Sequence, residues 1–291
     1  MISLRETRRG QTQGASRRAL HSLALLACAA LLGGCALMPR PAVVPLPSLS
    51  FASPCTAAGA DRADTLVVML PGAYSLPQEF VDEGFVQALQ QRRLAVDVLV
   101  VDSHLGYFNN GSVMQRLRQD VLAPARARGY RQVWLVGISL GGFGALAYAA
   151  EQGREAGHGV DGVLAIAPYL GSRRLLTEVT TAGGPLVWAR SDAVVNEGRA
   201  AAALPRPSTP DGAERGLWRW LGTPPVGSVP VHLGYGSEDR LRQGHLLLAG
   251  ALPAARVLTV SGGHDWPPWR ALWTQWLDTG ALGAARCAAV P

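Results

Sequence analysis

The chain has 291 residues, 48% of them hydrophobic and 16% charged, a composition that suits one large buried core or two small ones. Its formal charge of +6 looks basic, but the first 18 residues hold Arg5, Arg8, Arg9, Arg17 and Arg18 against Glu6 alone, and the rest of the chain carries only +2. A folded part this close to neutral excludes a nucleic-acid-binding surface as the reason for the charge.

The basic cluster belongs to the first predicted element. Arg17 and Arg18 precede the apolar run LALLACAALL at 23–32, which is followed by Gly33, Gly34 and Cys35. A charged region, a short apolar stretch and small residues before a cleavage point make an export signal. The run is too short to span a bilayer, which takes about 20 apolar residues. LGGC at 32–35 resembles the lipobox of bacterial lipoproteins. That resemblance implies that residues 1–34 are removed, that Cys35 becomes the first mature residue, and that it carries a membrane-anchoring lipid. Ala36 in place of an aspartate implies sorting to the outer membrane, facing the periplasm. The alternative is an ordinary signal peptide with an incidental cysteine. SRRAL at 16–20 also resembles part of a twin-arginine export motif.

Residues 35–59 read as a proline-rich, extended tether between lipid and domain. With Cys28 removed and Cys35 acylated, Cys55 and Cys287 remain, one near each end of the folded part. In an oxidising compartment they are expected to pair, contributing on the order of 4 kcal/mol in the chain-entropy picture; two free thiols are the alternative. No C-x-x-C or H-E-x-x-H occurs and the histidines are scattered, so no metal site is expected.

Across 60–291 short apolar runs alternate with longer helical patterns. Strands are predicted at 65–70, 96–101, 132–138, 162–167, 229–235 and 255–260, and helices around 77–93, 112–129, 140–153, 241–253 and 267–285. The strand runs are nearly continuous in apolar residues, as in strands covered on both faces. The expected class is therefore α/β, a mostly parallel sheet with helices on both sides. Residues 171–228 are far too long for one crossover and read as a small, partly helical cap over the sheet edge, or else as a disordered insertion. The bulky residues of GLWRWLG at 216–222 favour burial. Trp269, Trp273 and Trp276 fall at helical spacing and read as the core face of the last helix.

One stretch carries chemistry. Gly137-Ile138-Ser139-Leu140-Gly141 fits G-x-S-x-G, with a buried strand before it and a helix pattern after it. In such an elbow the serine sits on a strained turn that exposes its hydroxyl at the C-terminal edge of the sheet. With this motif in this context the sequence resembles the α/β-hydrolase superfamily over roughly residues 60–285. The resemblance implies a triad in the order serine, acid, histidine. VHLGYGSEDRL places Asp239 as the acid, with Glu238 in reserve, and VSGGHDWPPWR places His264 as the base. GGHDW followed by WR is also similar to the ending of the esterase group that includes S-formylglutathione hydrolases and feruloyl esterases. Asp265 adjoins the base too closely to orient it, and His104, His232 and His245 fit no triad position. The backbone N–H groups of Leu140 and Ala73 are expected to bind the oxyanion, with Tyr74 as the alternative to Ala73; Pro71-Gly72 stands where many relatives have His-Gly. Tyr74, His104, Tyr107 and Phe108 either line a substrate pocket or are ordinary loop packing.

The expected function is hydrolysis of a carboxylic ester, small or lipid, through an acyl-enzyme and without a cofactor. Thioesterase, acyltransferase or peptidase chemistry would use the same triad. The rival from another class is a silent scaffold that binds a ligand or an envelope partner.

Overall fold

In a computed structural model of the protein, residues 40–55, 62–152, 159–202, 210–223 and 228–287 are described. The export signal and Cys35 lie outside these residues. Among the described residues seven strands form one sheet: β1 (Ser48–Phe51), β2 (Thr65–Leu70), β3 (Val96–Val101), β4 (Gln132–Ile138), β5 (Gly162–Ile166), β6 (Val231–Gly236) and β7 (Val257–Val260). Their order is β1-β3-β2-β4-β5-β6-β7. The pairs from β3 through β7 are parallel, and β1 runs antiparallel along β3. Along β2, Leu66, Val68 and Leu70 enter one core while Val67 and Met69 enter the other. This two-sided burial is why the strand reads as an unbroken apolar run. Each such side chain contributes roughly 1.5–3 kcal/mol when fully buried.

Three helical patterns end earlier, or break, for identifiable reasons. The one at 77–93 divides into α1 (Pro77–Asp82) and α2 (Phe85–Gln91) at Gly84, whose φ of 77° turns the chain out of the helix. The one at 112–129 is α4 (Val113–Arg116), a π turn at Leu117–Leu122 and α5 (Ala123–Ala127). Pro124 has no N–H to complete a regular α ladder there. A short helix, α3 (Leu105–Asn109), precedes them in what read as a loop. Helix α6 (Leu140–Gln152) follows the serine directly. The last helix, α12 (Trp266–Asp278), stops well before residue 285, where Thr279 and Gly280, at φ 72°, turn the chain back. Its tryptophan stripe is core: Trp273 stacks on Phe85 and donates its indole N–H to the Phe85 carbonyl at 3.0 Å.

The 171–228 insertion is more helical than its sequence pattern conveyed, with α7 (Arg173–Thr181), α8 (Pro185–Arg190), α9 (Asp192–Ala202) and α10 (Pro210–Gly222) before α11 (Arg242–Ala249). Leu217, Trp218 and Leu221 are buried in the core shared with α6. Arg215 lies over the Trp188 ring and ion-pairs with Glu178 and Glu197, so the cap carries its own polar network.

The tether expectation needs correction over residues 41–55; residues 56–59 lie outside the described residues. Val43 gives and accepts a backbone hydrogen bond with the Tyr107 hydroxyl at 3.0 and 2.9 Å, and the Leu46 N–H donates to Asp120 at 2.8 Å. Ser48–Phe51 then pairs with β3. The prolines lack N–H groups, yet the Val43 and Leu46 N–H groups between them find side-chain acceptors, and β1 covers what would otherwise be an open sheet edge. Cys55 and Cys287 form a disulfide across 232 positions of sequence, with Cα atoms 5.7 Å apart.

Candidate active site

The sheet's C-terminal edge assembles the site because every parallel strand ends there. Ser139 follows β4, Asp239 lies just past β6, and His264 follows β7. Ser139 has φ 54°, a left-handed conformation that costs a non-glycine residue roughly 1–2 kcal/mol. Three hydrogen bonds hold it: Ser139 N–H to the Ile166 carbonyl at 3.0 Å, and its own carbonyl accepting from Tyr169 at 2.9 Å and Phe143 at 3.1 Å. The glycines permit the turn. A Cβ on Gly141 would strike the Leu70 carbonyl and lie 2.5 Å from the Pro71 oxygen, and one on Gly137 would lie 2.6 Å from the Gly142 nitrogen.

Two backbone bonds, Ser237 N–H to Val260 at 2.8 Å and Glu238 N–H to Gly262 at 3.0 Å, tie the acid's loop to the histidine's loop. Across that junction His264 Nδ1 lies 2.8 Å from Asp239 Oδ2, and Nε2 lies 3.0 Å from Ser139 Oγ. The other Asp239 oxygen accepts from the Leu241 N–H at 2.7 Å. Burial pushes the Asp239 carboxyl up, but the bonds from His264 and Leu241, with the nearby imidazoles, outweigh it and hold the group below its ordinary range. An ionised Asp239 fixes the proton on Nδ1 and leaves the Nε2 lone pair facing the serine hydroxyl. Glu238, by contrast, is exposed. The indole of Trp269 stands edge-on to the imidazole, with ring centroids 5.1 Å apart. Sequence reasoning placed Trp269 in the core but gave no sign of this contact. Asp265 caps α12, accepting from the Trp266 N–H at 2.7 Å.

The oxyanion expectation has partial geometric support. Leu140 opens α6, so its N–H has no partner within the helix. The Pro71–Ala73 turn abuts the elbow: a Cβ on Gly72 would lie 3.7 Å from the Ser139 Cβ. Neither the Leu140 nor the Ala73 N–H donates to another backbone group among the described residues. Tyr74, at 81% exposure, stands out from this turn.

Two expected pocket residues are corrected. Tyr107 is fully buried and its hydroxyl is taken by the Val43 backbone. His104 is buried, caps α3 by accepting from the Gly106 N–H at 3.1 Å, and packs on Tyr107. Phe108, half-buried, packs on Phe143. His245 is also near the acid, although the sequence carried no signal of it. It is fully buried, its Nε2 is 3.0 Å from the Pro168 carbonyl, and burial pushes its pKa down to about 4. It is therefore neutral, with Nε2–H donating. His232 is wedged between Trp134 and Trp276, its pKa lowered by burial and then by Arg256. Among the described residues no group of three or more His, Cys, Asp or Glu could hold a metal ion. None of their helices is long and apolar enough to cross a membrane.

No protein-family model matches the chain, and no curated protein matches it. Among solved structures it is similar to an S-formylglutathione hydrolase of Staphylococcus aureus, at 13% identity over 84% of this chain and 98% of the other, TM-score 0.52. It is similar to a monoacylglycerol lipase of Paleococcus ferrophilus at 17% identity over 80% and 98%, TM-score 0.50. It is also similar to a hormone-sensitive lipase from a metagenome library at 13% identity over 83% and 84%, TM-score 0.51. Likeness at this level of identity establishes the fold.

Proposed function

We propose that this chain, which has the α/β-hydrolase fold, is a serine hydrolase that cleaves carboxylic esters through an acyl-enzyme. The observation that carries this reading is the continuous path from Asp239 through His264 to Ser139, at 2.8 and 3.0 Å. A serine hydroxyl is a weak nucleophile until a base takes its proton during attack. In this reading His264 Nε2 takes that proton as Ser139 Oγ bonds to the ester carbonyl carbon. The resulting imidazolium is stabilised by ionised Asp239 and then protonates the departing alcohol. Water, activated by the same imidazole, releases the acid and restores the serine. The Leu140 and Ala73 N–H groups receive the oxyanion; one such donor is commonly worth roughly 3–4 kcal/mol of barrier. The names of the similar structures, hydrolase and lipases, are consistent with this chemistry.

The same proposal includes export, acylation of Cys35, and residence in the bacterial envelope on the periplasmic side of the outer membrane, supported by the LGGC pattern. The decisive test is labelling of the purified protein with a fluorophosphonate probe. Wild type is expected to label and Ser139→Ala to remain unlabelled. Equal labelling of both refutes Ser139 as the nucleophile, and labelling of neither refutes the assignment and favours a silent scaffold. A series of p-nitrophenyl esters, with matched thioesters, then separates esterase from thioesterase activity and reports acyl length.

A further inference from the structure

We infer that the catalytic edge of the sheet is the membrane-facing surface of the protein, and that the apolar residues around it rest on the lipid in which Cys35 is anchored. The inference rests on the proposed acylation of Cys35 and is independent of the hydrolase reading.

Its first support is where the chain enters the fold. β1 is antiparallel, so its first residue, Ser48, pairs with Val101, the last residue of β3. The chain before β1 therefore arrives at the edge where the parallel strands end, the edge that holds Ser139, Asp239 and His264. It is fastened there by Val43 on Tyr107 and by the Asp102 N–H on the Pro47 carbonyl at 2.8 Å.

The second support is reach. From Cys35 to Pro41 there are six residue steps, which span at most about 20 Å when fully extended. A compact body of some 250 residues has a radius of gyration of about 18 Å and, taken as a sphere, a diameter of about 45 Å. So short a link cannot pass around the domain, and the opposite edge of the sheet cannot be turned to the bilayer.

The third support is what the edge exposes. Val43 and Val44 are 51% and 69% exposed, Tyr74 81% and Leu76 47%. These two groups flank α3: Val43 holds Tyr107 of that helix, and the Ala73 carbonyl accepts from its first N–H, on Leu105, at 3.3 Å. Exposed apolar residues gathered beside an anchoring point, with a tyrosine among them, suit the boundary between headgroups and acyl chains. They also give the anchored body a second point of contact with the lipid, since one flexible attachment leaves it free to turn about that point.

The test uses the full acylated protein reconstituted in vesicles of three parts phosphatidylethanolamine to one part phosphatidylglycerol. Single nitroxide labels are placed through Val44→Cys, Tyr74→Cys and, at the opposite edge just before β4, Arg131→Cys, whose native side chain is 79% exposed. Collision with a water-soluble nickel chelate is compared with collision with oxygen. Labels at 44 and 74 are expected to be several-fold less accessible to the chelate than the label at 131, and relatively more accessible to oxygen. Three labels equally open to the chelate, or the label at 131 more protected than that at 74, overturns the orientation. Absence of an acyl mass on the Cys35 peptide overturns the proposal at its premise. Fluorophosphonate labelling of the same samples reports separately on the serine chemistry.

Discussion

The backbone N–H of Tyr169 donates to the Ser139 carbonyl at 2.9 Å, while the Tyr169 hydroxyl donates to Glu214 of the cap at 2.6 Å. One residue thus steadies the elbow and fastens the cap. The other Glu214 oxygen accepts from the Ser172 N–H at 2.9 Å, and Trp218 beside it donates to the Leu170 carbonyl at 2.6 Å. Burial and the bond to Glu214 raise the pKa of the Tyr169 hydroxyl. Glu214→Ala would strand two partly buried donors, and is expected to destabilise the protein by roughly 1–3 kcal/mol in urea titrations. Glu214→Gln keeps an acceptor and should lose less.

Asp239→Asn should leave the fold intact and lower kcat by about 10⁴-fold, because an amide no longer holds the proton on Nδ1 of His264. Glu238→Gln should stay close to wild type, its side chain being exposed. Ester turnover by the two variants checks both statements. The reverse pattern would move the acid's role to Glu238.

At the elbow, Gly141→Ala forces a methyl into the Leu70 and Pro71 carbonyls, whereas on Gly72 the nearest atoms, Ser75 Oγ and Ser139 Cβ, lie at 3.6 and 3.7 Å. Gly141→Ala is expected to yield little soluble protein or a melting temperature lowered by many degrees. Gly72→Ala should fold normally. Thermal melts of the pair, side by side, decide it.

His245 predicts an acid-sensitive core. Its folded pKa is lowered to about 4 by burial, from the ordinary 6.5. Between these values the unfolded chain binds a proton that the folded protein refuses, so falling pH favours unfolding. The contribution is fully present above pH 6.5 and is lost progressively as pH falls toward 4, reaching about 3 kcal/mol. Unfolding free energies at pH 7 and 4.5 should therefore differ less in His245→Gln than in wild type. An unchanged difference would remove His245 as the cause.

Replacing both Cys55 and Cys287 by serine should lower stability by on the order of 4 kcal/mol, since the link spans almost the whole folded chain. Mass spectrometry of unreduced digests should yield the crosslinked peptide from wild type.

Much of the site could be read before the fold was known, because its signals are local. A buried strand, G-x-S-x-G and a helix pattern are contiguous, and the acid and base each follow a strand by a few residues. What escaped depends on distant partners. β1 is four residues long and only partly buried, so no period marks it; its pairing with β3 and the bond between Val43 and Tyr107 join positions far apart in the chain. The placement of Tyr107 followed from that same contact, so a residue that read as a pocket wall turned out to clasp the N-terminal segment. His245 lies on a helix with nothing in its sequence to show that it faces Pro168 and the acid. The helix ends were misjudged where a glycine with positive φ stopped a pattern that apolar spacing alone would have continued.

The bond between Cys55 and Cys287 encloses Ser139, Asp239 and His264 within one covalent ring. A protease that cuts the backbone once between those cysteines would open the ring without releasing a fragment, so the nicked molecule would keep its mass, apart from one added water, until a reductant separated the halves. In a compartment exposed to foreign proteases, a single cut would leave the serine, the histidine and the aspartate on the same molecule.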